Sequence, residues 1–380
     1  MMSVKITIDN QQIEARTGQS LLDAALEHGI EIPHLCHHKD LIPSGSCRMC
    51  VVEIDGMPNP VHSCGTTVQD GMVVHTKTEH VENLRRHVMD LFISDHPLDC
   101  VVCDKNGSCD LQKYAYQYNI AESSFPVELS RAKYIDDNPF YVRDYQYCIM
   151  CGKCVRVCDE VVGAGAIHFS ERGFETVIST AFDVPLAESS CVFCGNCVQI
   201  CPTNALQPVS RLGKGRDFEF EHKKTICGYC GVGCTVEFAT KGDKIIYAKG
   251  AKDDPSTVNG EFLCVKGRFG WDFVDKPGRL TEPLMRKDLA YALGISDEPW
   301  QLPAESVLEK ETNPDWFVPV SWDTAIDVTA AKIAEIIQKY GGDAVHGQTS
   351  ARCTNEENYI FQKFMRAGVG TNNIDHCARL

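Results

Sequence analysis

The chain has 380 residues, enough for two or three domains of about 150 residues each. Its 37 basic and 52 acidic side chains leave a formal charge of −15. That argues against nucleic acid or an anionic membrane surface as the main partner, because both need a positive field. No apolar run approaches the roughly 18 residues of a membrane span, and Met1–Asn10 carries no secretory apolar segment, so the expected location is cytoplasmic with no membrane span.

In chain order, residues 1–79 read as a small β-rich domain. Val4-Lys5-Ile6-Thr7-Ile8 alternates, Asp9-Asn10 turns, and Ile13-Glu14-Ala15 returns as a hairpin. Ser20 is placed to cap a helix that Gly29 ends. Cys36, Cys47, Cys50 and Cys64 follow, and four cysteines around a central C-x2-C can hold a [2Fe–2S] rhomb, with zinc as the alternative. Residues 80–120 open on a helix with Val81, Leu84, Val88 and Leu91 expected on one face. The helix delivers His96, Cys100, Cys103 and Cys109, where three thiols leave one corner of an iron–sulfur cube open.

Of the 21 cysteines, all but Cys353 and Cys377 fall in short-spaced groups, which in a reducing compartment points to metal rather than disulfides. The strongest signal lies within residues 138–210. C-x2-C-x2-C-x3-C occurs at Cys148, Cys151, Cys154, Cys158 and again at Cys191, Cys194, Cys197, Cys201, with Pro202 after the second. This is the bacterial ferredoxin run, repeated at an offset of about 43 residues. Three thiolates separated by two residues each wrap one loop around three corners of a cube, while the fourth turns away to the other cube. Cys148, Cys151, Cys154 and Cys201 are therefore expected to hold one [4Fe–4S] cluster, and Cys191, Cys194, Cys197 and Cys158 the other. Structural zinc, bound by two pairs of ligands, fits a run of three poorly. Gly152 and Gly195 sit at equivalent places, where a tight loop favours a residue without Cβ.

Residues 220–275 carry Cys227, Cys230, Cys234 and Cys264, a spacing that taken alone is also open to a zinc ribbon. From 276 to 380 the pattern becomes α/β. Asp275–Phe317 reads as an irregular insertion. Ser321 caps a helix carrying Ile326, Ala330, Ile333, Ile337 and Tyr340, closed by Gly341-Gly342, and Asp343–Gly347 reads as a short strand. Thr354-Asn355-Glu356-Glu357 is a capping box opening a second helix. Alternating helix and strand implies a parallel sheet, with too few strands here to complete one. Cys353 and Cys377 are expected to be buried structural thiols.

The first two cysteine groups resemble the large iron–sulfur subunit of respiratory complex I. That resemblance implies a β-grasp [2Fe–2S] domain and makes H-x3-C-x2-C-x5-C a His-ligated [4Fe–4S] motif, with His96 as the fourth ligand. Imidazole in place of thiolate removes negative charge and should raise that cluster's potential. Cys264-Val265-Lys266-Gly267-Arg268 resembles the cluster domain that opens molybdopterin-dependent oxidoreductases, which implies a [4Fe–4S] cluster on Cys227, Cys230, Cys234 and Cys264 and an electron-relay place for Lys266. Ser350–Asn358 and Thr371–Leu380 resemble formate dehydrogenases. Through these motifs the chain is similar over nearly its whole length to the N-terminal part of a cytosolic formate dehydrogenase catalytic subunit.

The expected fold is thus a multidomain α+β iron–sulfur protein. It comprises the β-grasp domain, a His-Cys cluster domain, a duplicated ferredoxin-like domain, a small molybdopterin-oxidoreductase cluster domain and the truncated start of an α/β pterin domain. One [2Fe–2S] and four [4Fe–4S] clusters are expected, and a chain of one-electron centres implies conduction. The resemblance implies formate oxidation at a Mo or W bis-pterin guanine dinucleotide in a full-length chain. Electrons would enter at the Cys227 cluster and leave through the ferredoxin pair and the N-terminal centres. No catalytic residue is expected within the chain, because the family's metal-ligating cysteine or selenocysteine would follow Leu380, where a UGA codon read as stop or a cut chain would each end it. No G-x-G-x-x-G or P-loop occurs, so a flavin-bearing NAD(P)H-oxidising subunit and a small [2Fe–2S] subunit are the implied partners, with a hydrogenase or ferredoxin as further candidates. A catalytically silent electron-transfer adapter and a complex I-type subunit are the competing readings.

Overall fold

The structure, a computed structural model, describes residues 3–126, 129, 133–252, 254–300 and 314–376. It forms two compact units, Met1–Ile226 with Cys234–Trp271, and Cys227–Gly233 with Asp272–Leu380.

The first unit begins with strands β1 (Ser3–Ile8) and β2 (Gln11–Arg16), joined through Asp9 and Asn10, both at positive φ. This tight antiparallel pair keeps Ile6 against Ile13 in register. Ser20 accepts a hydrogen bond from the Asp23 amide and starts helix α1 (Leu21–Glu27), whose Leu21, Leu22, Ala24 and Ala25 are buried. Strands β3 (Val51–Ile54), β4 (Val61–His62) and β5 (Val73–His75) complete a sheet of order β2-β1-β5-β3-β4, in which β1 and β5 run parallel. One apolar cluster joins α1 to this sheet and includes Cys50 and Cys64.

Helix α2 (Glu79–Ile93) is capped by Thr78, but its buried stripe differs from the expected one. Val81, Arg85, Met89 and Ile93 are buried, whereas Leu91 is 56% exposed and Leu84 and Val88 lie half-buried. The reason is Arg85. Its Nε donates to the Met49 carbonyl at 3.1 Å, Nη1 to Thr76 O at 2.8 Å and Nη2 to Val51 O at 2.7 Å, with Glu82 at 3.1 Å. An apolar-periodicity reading assigns such an arginine to the solvent face. Here its guanidinium fork satisfies three carbonyls that would otherwise be buried without donors. Helix α3 (Asp110–Gln117) packs near α2, and Leu111, Tyr114 and Ala115 share a core with Met89, Ile93, Cys36, Cys47 and Ile149.

The duplicated region has a three-stranded sheet of Leu206–Pro208, Tyr141–Asp144 and Tyr134–Ile135, and two short helices, Lys153–Arg156 and Asn196–Ile200, start within the two cysteine runs. The first continues as a wider π turn, Val157–Val161. An antiparallel sheet of Glu221–Ile226, Thr235–Lys241 and Lys244–Gly250 follows, and the helix Val265–Phe269 carries Lys266.

The second unit contains a hairpin-like pair, Leu284–Arg286 with Phe317–Pro319, and a helix Lys287–Ala292, so the stretch expected to be irregular is partly ordered. Ser321 caps the helix Trp322–Tyr340 as expected. The expected strand at Asp343–Gly347 is displaced. Gly342–Ala344 forms a 3-10 turn and the strand is Gly347–Thr349, parallel to Ile374–His376. Asp343 instead accepts from the Thr371 hydroxyl at 2.7 Å and, through its carbonyl, from Asn373, which holds it in the connection. The capping box at Thr354 opens the helix Asn355–Lys363 between these parallel strands.

Arg85→Met is expected to destabilise the β3–β5 region by on the order of 3 kcal/mol, because three buried carbonyls lose their donor. Amide hydrogen exchange at Val52 and Val74 should quicken by roughly two orders of magnitude, and Arg85→Lys should recover only part of it. Unchanged protection would remove Arg85 from its central place.

Candidate electron-transfer centres

The two ferredoxin runs share one loop geometry up to their third cysteine. Met150 and Phe193 both have φ of 52°, and Gly152 and Gly195 have φ of 69° and 68°. The left-handed positions turn each loop back on itself. In each run the amide two residues after the first cysteine points to its sulfur, Met150 N to Cys148 Sγ and Phe193 N to Cys191 Sγ, both at 3.4 Å. The structure brings Cys148, Cys151, Cys154 and Cys201 around one small cavity and Cys158, Cys191, Cys194 and Cys197 around another. Each set joins three thiols of one run to the last thiol of the other. Burial pushes the Cys151 thiol up to about 11 and Cys197 to about 12, which disfavours free thiolates there and is offset when a cation shares their charge. Tyr141, which carries no motif signal in the sequence, lies 3.7 Å from Cys191 Sγ through its hydroxyl and is buried. Phe269 stacks on Phe140 at 5.0 Å and on Tyr141 at 6.2 Å, giving this quartet an aromatic wall.

Cys36, Cys47, Cys50 and Cys64 are all nearly inaccessible. They form two pairs. A hydrogen bond from Cys47 holds Cys36 down to about 4, and one from Cys64 holds Cys50 down to about 6, while the donor thiols are pushed up. Arg48 at φ 58° turns the chain between Cys47 and Cys50, and Arg85 clamps the adjoining Met49 and Val51 carbonyls. Two buried thiol pairs suit two irons.

His96 is buried, its Nδ1 has no hydrogen-bond partner, and burial lowers its pKa to about 4. A neutral imidazole with an unpaired nitrogen is the state a metal ligand requires. Cys100, Cys103 and Cys109 are half-buried, with Cys103 turned by its amide bonding Asp99 O at 3.2 Å and Cys109 at the start of α3.

These segments are tied to each other directly. Arg156, two residues after Cys154, donates to the Cys36 carbonyl and to Ile42 O. The Asp110 amide, next to Cys109, bonds Pro202 O at 3.0 Å, and Tyr147, next to Cys148, donates to Asp99 at 2.6 Å. Arg268 donates to Cys194 O at 2.9 Å and also to Gln199 and Asn196, joining the helix after Cys264 to the second run. Lys266 on that helix is exposed. Cys227 is buried and Cys230 exposed in the second unit; Cys234 is half-buried and Cys264 exposed in the first.

Within the second unit a cavity of about 780 Å³ is lined by polar side chains, among them Ser350, Asn358, Gln362, Arg366, Asn372 and His376. These donors and acceptors suit a pterin ring and its phosphate. Cys353 lines the same cavity and is half-buried, contrary to the buried thiol expected, because it sits in the turn before the Thr354 cap, with its amide bonding Ser350 O. Cys377 lies outside the described residues.

Comparison with known proteins follows the same order along the chain. Residues 2–79 match the 2Fe-2S iron-sulfur cluster binding domain, 85–124 the NADH-ubiquinone oxidoreductase-G iron-sulfur binding region, and 147–205 the 4Fe-4S dicluster domain. Residues 221–276 match the molybdopterin oxidoreductase Fe4S4 domain and 279–380 the molybdopterin oxidoreductase family. The chain is 38% identical over 377 residues to the NADPH-Fe(3+) oxidoreductase subunit alpha of Geobacter sulfurreducens, with 99% of this chain and 40% of the relative covered. It is 38% identical over 381 residues to the G 2 subunit of the NADH-quinone oxidoreductase of Rhizobium meliloti, again with 99% and 40% covered. It is also 34% identical over 420 residues to Bacillus subtilis YrhE, whose name gives formate dehydrogenase only provisionally, with 99% and 40% covered. The chain thus spans about two fifths of the length of these relatives. Among solved structures, a chain of an NAD+-reducing [NiFe]-hydrogenase in the H2-reduced state superposes with a TM-score of 0.52 at 31% identity, covering 55% of this chain and 88% of that one.

Two outcomes test the geometry. Gly195→Ala adds a Cβ 2.3 Å from Arg268 Cδ and 2.7 Å from Phe269 at a left-handed position, so it should cost more than the roughly 1–2 kcal/mol of backbone strain alone. Gly152→Ala, facing only Phe169 at 2.9 Å, should be milder, and thermal unfolding of the two variants orders them. Tyr141→Phe removes a donor to Cys191 and should make that centre harder to reduce. A differential of roughly 1 kcal/mol corresponds to about 40 mV for one electron, read by redox-poised electron paramagnetic resonance.

Proposed function

We propose, for a chain that belongs with the iron–sulfur members of the molybdopterin oxidoreductase family, that it is the electron-transfer portion of a formate dehydrogenase. The half-reaction is HCOO⁻ → CO2 + H⁺ + 2 e⁻, and the electrons are exchanged with a partner NAD(P)H/flavin or ferredoxin-linked subunit. The observation that carries the conducting role is the crossing of the two ferredoxin runs, in which Cys158 and Cys201 each stand among three thiols of the other run.

In this reading Cys36 and Cys47 hold one iron of a [2Fe–2S] centre and Cys50 and Cys64 the other. His96, Cys100, Cys103 and Cys109 hold a [4Fe–4S] centre, the crossed quartets hold two more, and Cys227, Cys230, Cys234 and Cys264 a fourth. Bound clusters supply one-electron sites, and a Mo or W pterin supplies two-electron chemistry. The chain's own residues do the rest. The aromatic wall of Phe140, Tyr141 and Phe269 keeps water from the Cys191 quartet. Tyr141 and the Met150 and Phe193 amides offer hydrogen bonds to sulfur, and such bonds raise cluster potentials. Neutral His96 withholds one negative charge from its centre, and Lys266 is the relay beside Cys264. The partner reading is supported by relatives named as NADPH- and NADH-linked oxidoreductases and by the NAD+-reducing hydrogenase chain.

The second reading, an NAD(P)H-linked iron–sulfur subunit with no formate chemistry, is favoured by the names of the Geobacter and Rhizobium relatives. The full-length protein, purified without oxygen with its partners, decides between them. The formate reading expects about 18 iron atoms per chain, molybdenum or tungsten, and formate-dependent viologen reduction. Dye reduction by NAD(P)H with none by formate would establish the second reading. A colourless, zinc-loaded protein would end both.

A further inference from the structure

Outside the cysteine quartets, the first unit encloses a cavity of about 280 Å³ bounded by six lysine and arginine and four acidic side chains. Three of the six cations are answered by partners or by water. Lys249 pairs with Glu237 at 3.1 Å, Lys252 is exposed to water, and Arg268 donates to Cys194 O, Gln199 and Asn196. Lys105 and Lys153 are different, and Arg211, which also lies 5.1 Å from the Tyr247 ring, is answered only in part. Lys153 is 7% exposed and Lys105 half-buried, and among the described residues neither ammonium makes a hydrogen bond or an ion pair. Arg211, 6% exposed, spends Nη2 on Asp104 O at 3.0 Å, stands 4.0 Å from Asp217, and leaves a buried Nε without a partner. Gln207, 8% exposed, lines the same cavity with an unpartnered Oε1.

Asp110 and Asp217 on the cavity wall answer part of the charge of Lys105 and Arg211, but each orphaned buried donor or acceptor remains costly. Nearby sulfurs answer part of the charge only where a bound cluster holds them deprotonated, Cys201 and Cys109 for Lys105 and Cys151 for Lys153. They do not supply oxygen acceptors to the ammonium and guanidinium donors, nor a donor to Gln207 Oε1. A small oxyanion that also carries a hydroxyl does both, and a guanidinium fork matches its geometry.

We propose that this cavity is a binding site for a hydroxyl-bearing oxyanion, hydrogenphosphate or bicarbonate, held by Lys105, Lys153 and Arg211 with Gln207 accepting from the anion's hydroxyl. The cavity is wide enough for such an anion and several waters. Because Cys201 lines the same wall, a bound anion adds negative charge beside the Cys148–Cys151–Cys154–Cys201 quartet and disfavours its reduction. By linkage, reduction weakens anion binding by the same factor. The site itself stands on the cavity; only the potential shift rests on the cluster reading.

The test uses the full-length protein isolated without oxygen, with iron and acid-labile sulfide counted on the same sample. Calorimetric titrations with inorganic phosphate, bicarbonate and sulfate are run on the wild type, Arg211→Gln and Lys105→Gln. We expect one saturable site for phosphate or bicarbonate, with sulfate, which lacks a hydroxyl at neutral pH, at least tenfold weaker. Each variant should bind at least tenfold more weakly with its iron count intact, and the stronger of the two anions identifies the physiological source. In the wild type, the saturating anion should move the midpoint of one cluster to more negative potential. No saturable uptake of either anion would overturn the site and leave water as the occupant; equal uptake of sulfate would overturn the hydroxyl-bearing anion, and unchanged binding in both variants would place the anion elsewhere and overturn the site. A low iron count with anion binding retained would instead overturn the cluster reading and spare this one.

Discussion

The crossing of two cysteines governs the first unit. Cys158 leaves its own run and joins Cys191, Cys194 and Cys197, while Cys201 joins Cys148, Cys151 and Cys154. Neither run lines its cavity alone, so the two halves of the repeat fold against each other. That arrangement explains the matched left-handed positions at Met150 and Phe193 and at Gly152 and Gly195, because each loop has to deliver three sulfurs to one side within seven residues. It also explains the packing, in which six of these eight thiols sit at the edge of one apolar cluster built on Tyr141, Ile167, Ile178, Leu186 and Leu206.

The other cysteine groups are arranged around this pair by specific bonds. Arg156 reaches the Cys36 carbonyl, the Asp110 amide reaches Pro202, and Arg268 reaches Cys194. Each bond spans from one cysteine-bearing segment to a cysteine of another or the residue beside it. A single apolar cluster contains Cys36 and Cys47 with Cys109 and Cys151 packed at its edge. A protein that only needed metal for stability has no reason to hold its sites so close. Contiguity of this kind is what stepwise electron transfer requires, and it unites the first four groups in one unit.

The electrostatics of the unit follow from gathering so much sulfur. Burial raises the thiols of Cys109 and Cys151 to about 11 and that of Cys197 to about 12. The chain answers with cations placed inside, Lys153 and Arg268 among them, although its overall charge is −15. The acidic residues that set the net charge are largely at the surface, where water screens them. Net charge was therefore no guide to the interior. The same division appears at Arg85, a charged residue that the helical pattern assigns outward and that three backbone carbonyls draw inward.

What the sequence by itself determined is chiefly local. Thiol spacing, the capping residues Ser20, Ser321 and Thr354, and the glycines at 152 and 195 act over a few residues, and short-range sterics and hydrogen bonds leave them little choice. The order of domains is legible for the same reason, since each cysteine group is contained in a short segment. Tertiary structure alone decided where partners distant in the chain meet. Tyr141 reaches Cys191 across 50 residues, Arg211 reaches Asp104 across 107, and His38 reaches Glu261 across 223. It also decided that the strand after the long second-unit helix starts at Gly347, because Thr371 and Asn373 hold Asp343 in the connection. No periodicity encodes such contacts, because they depend on which surfaces the packed core leaves facing one another.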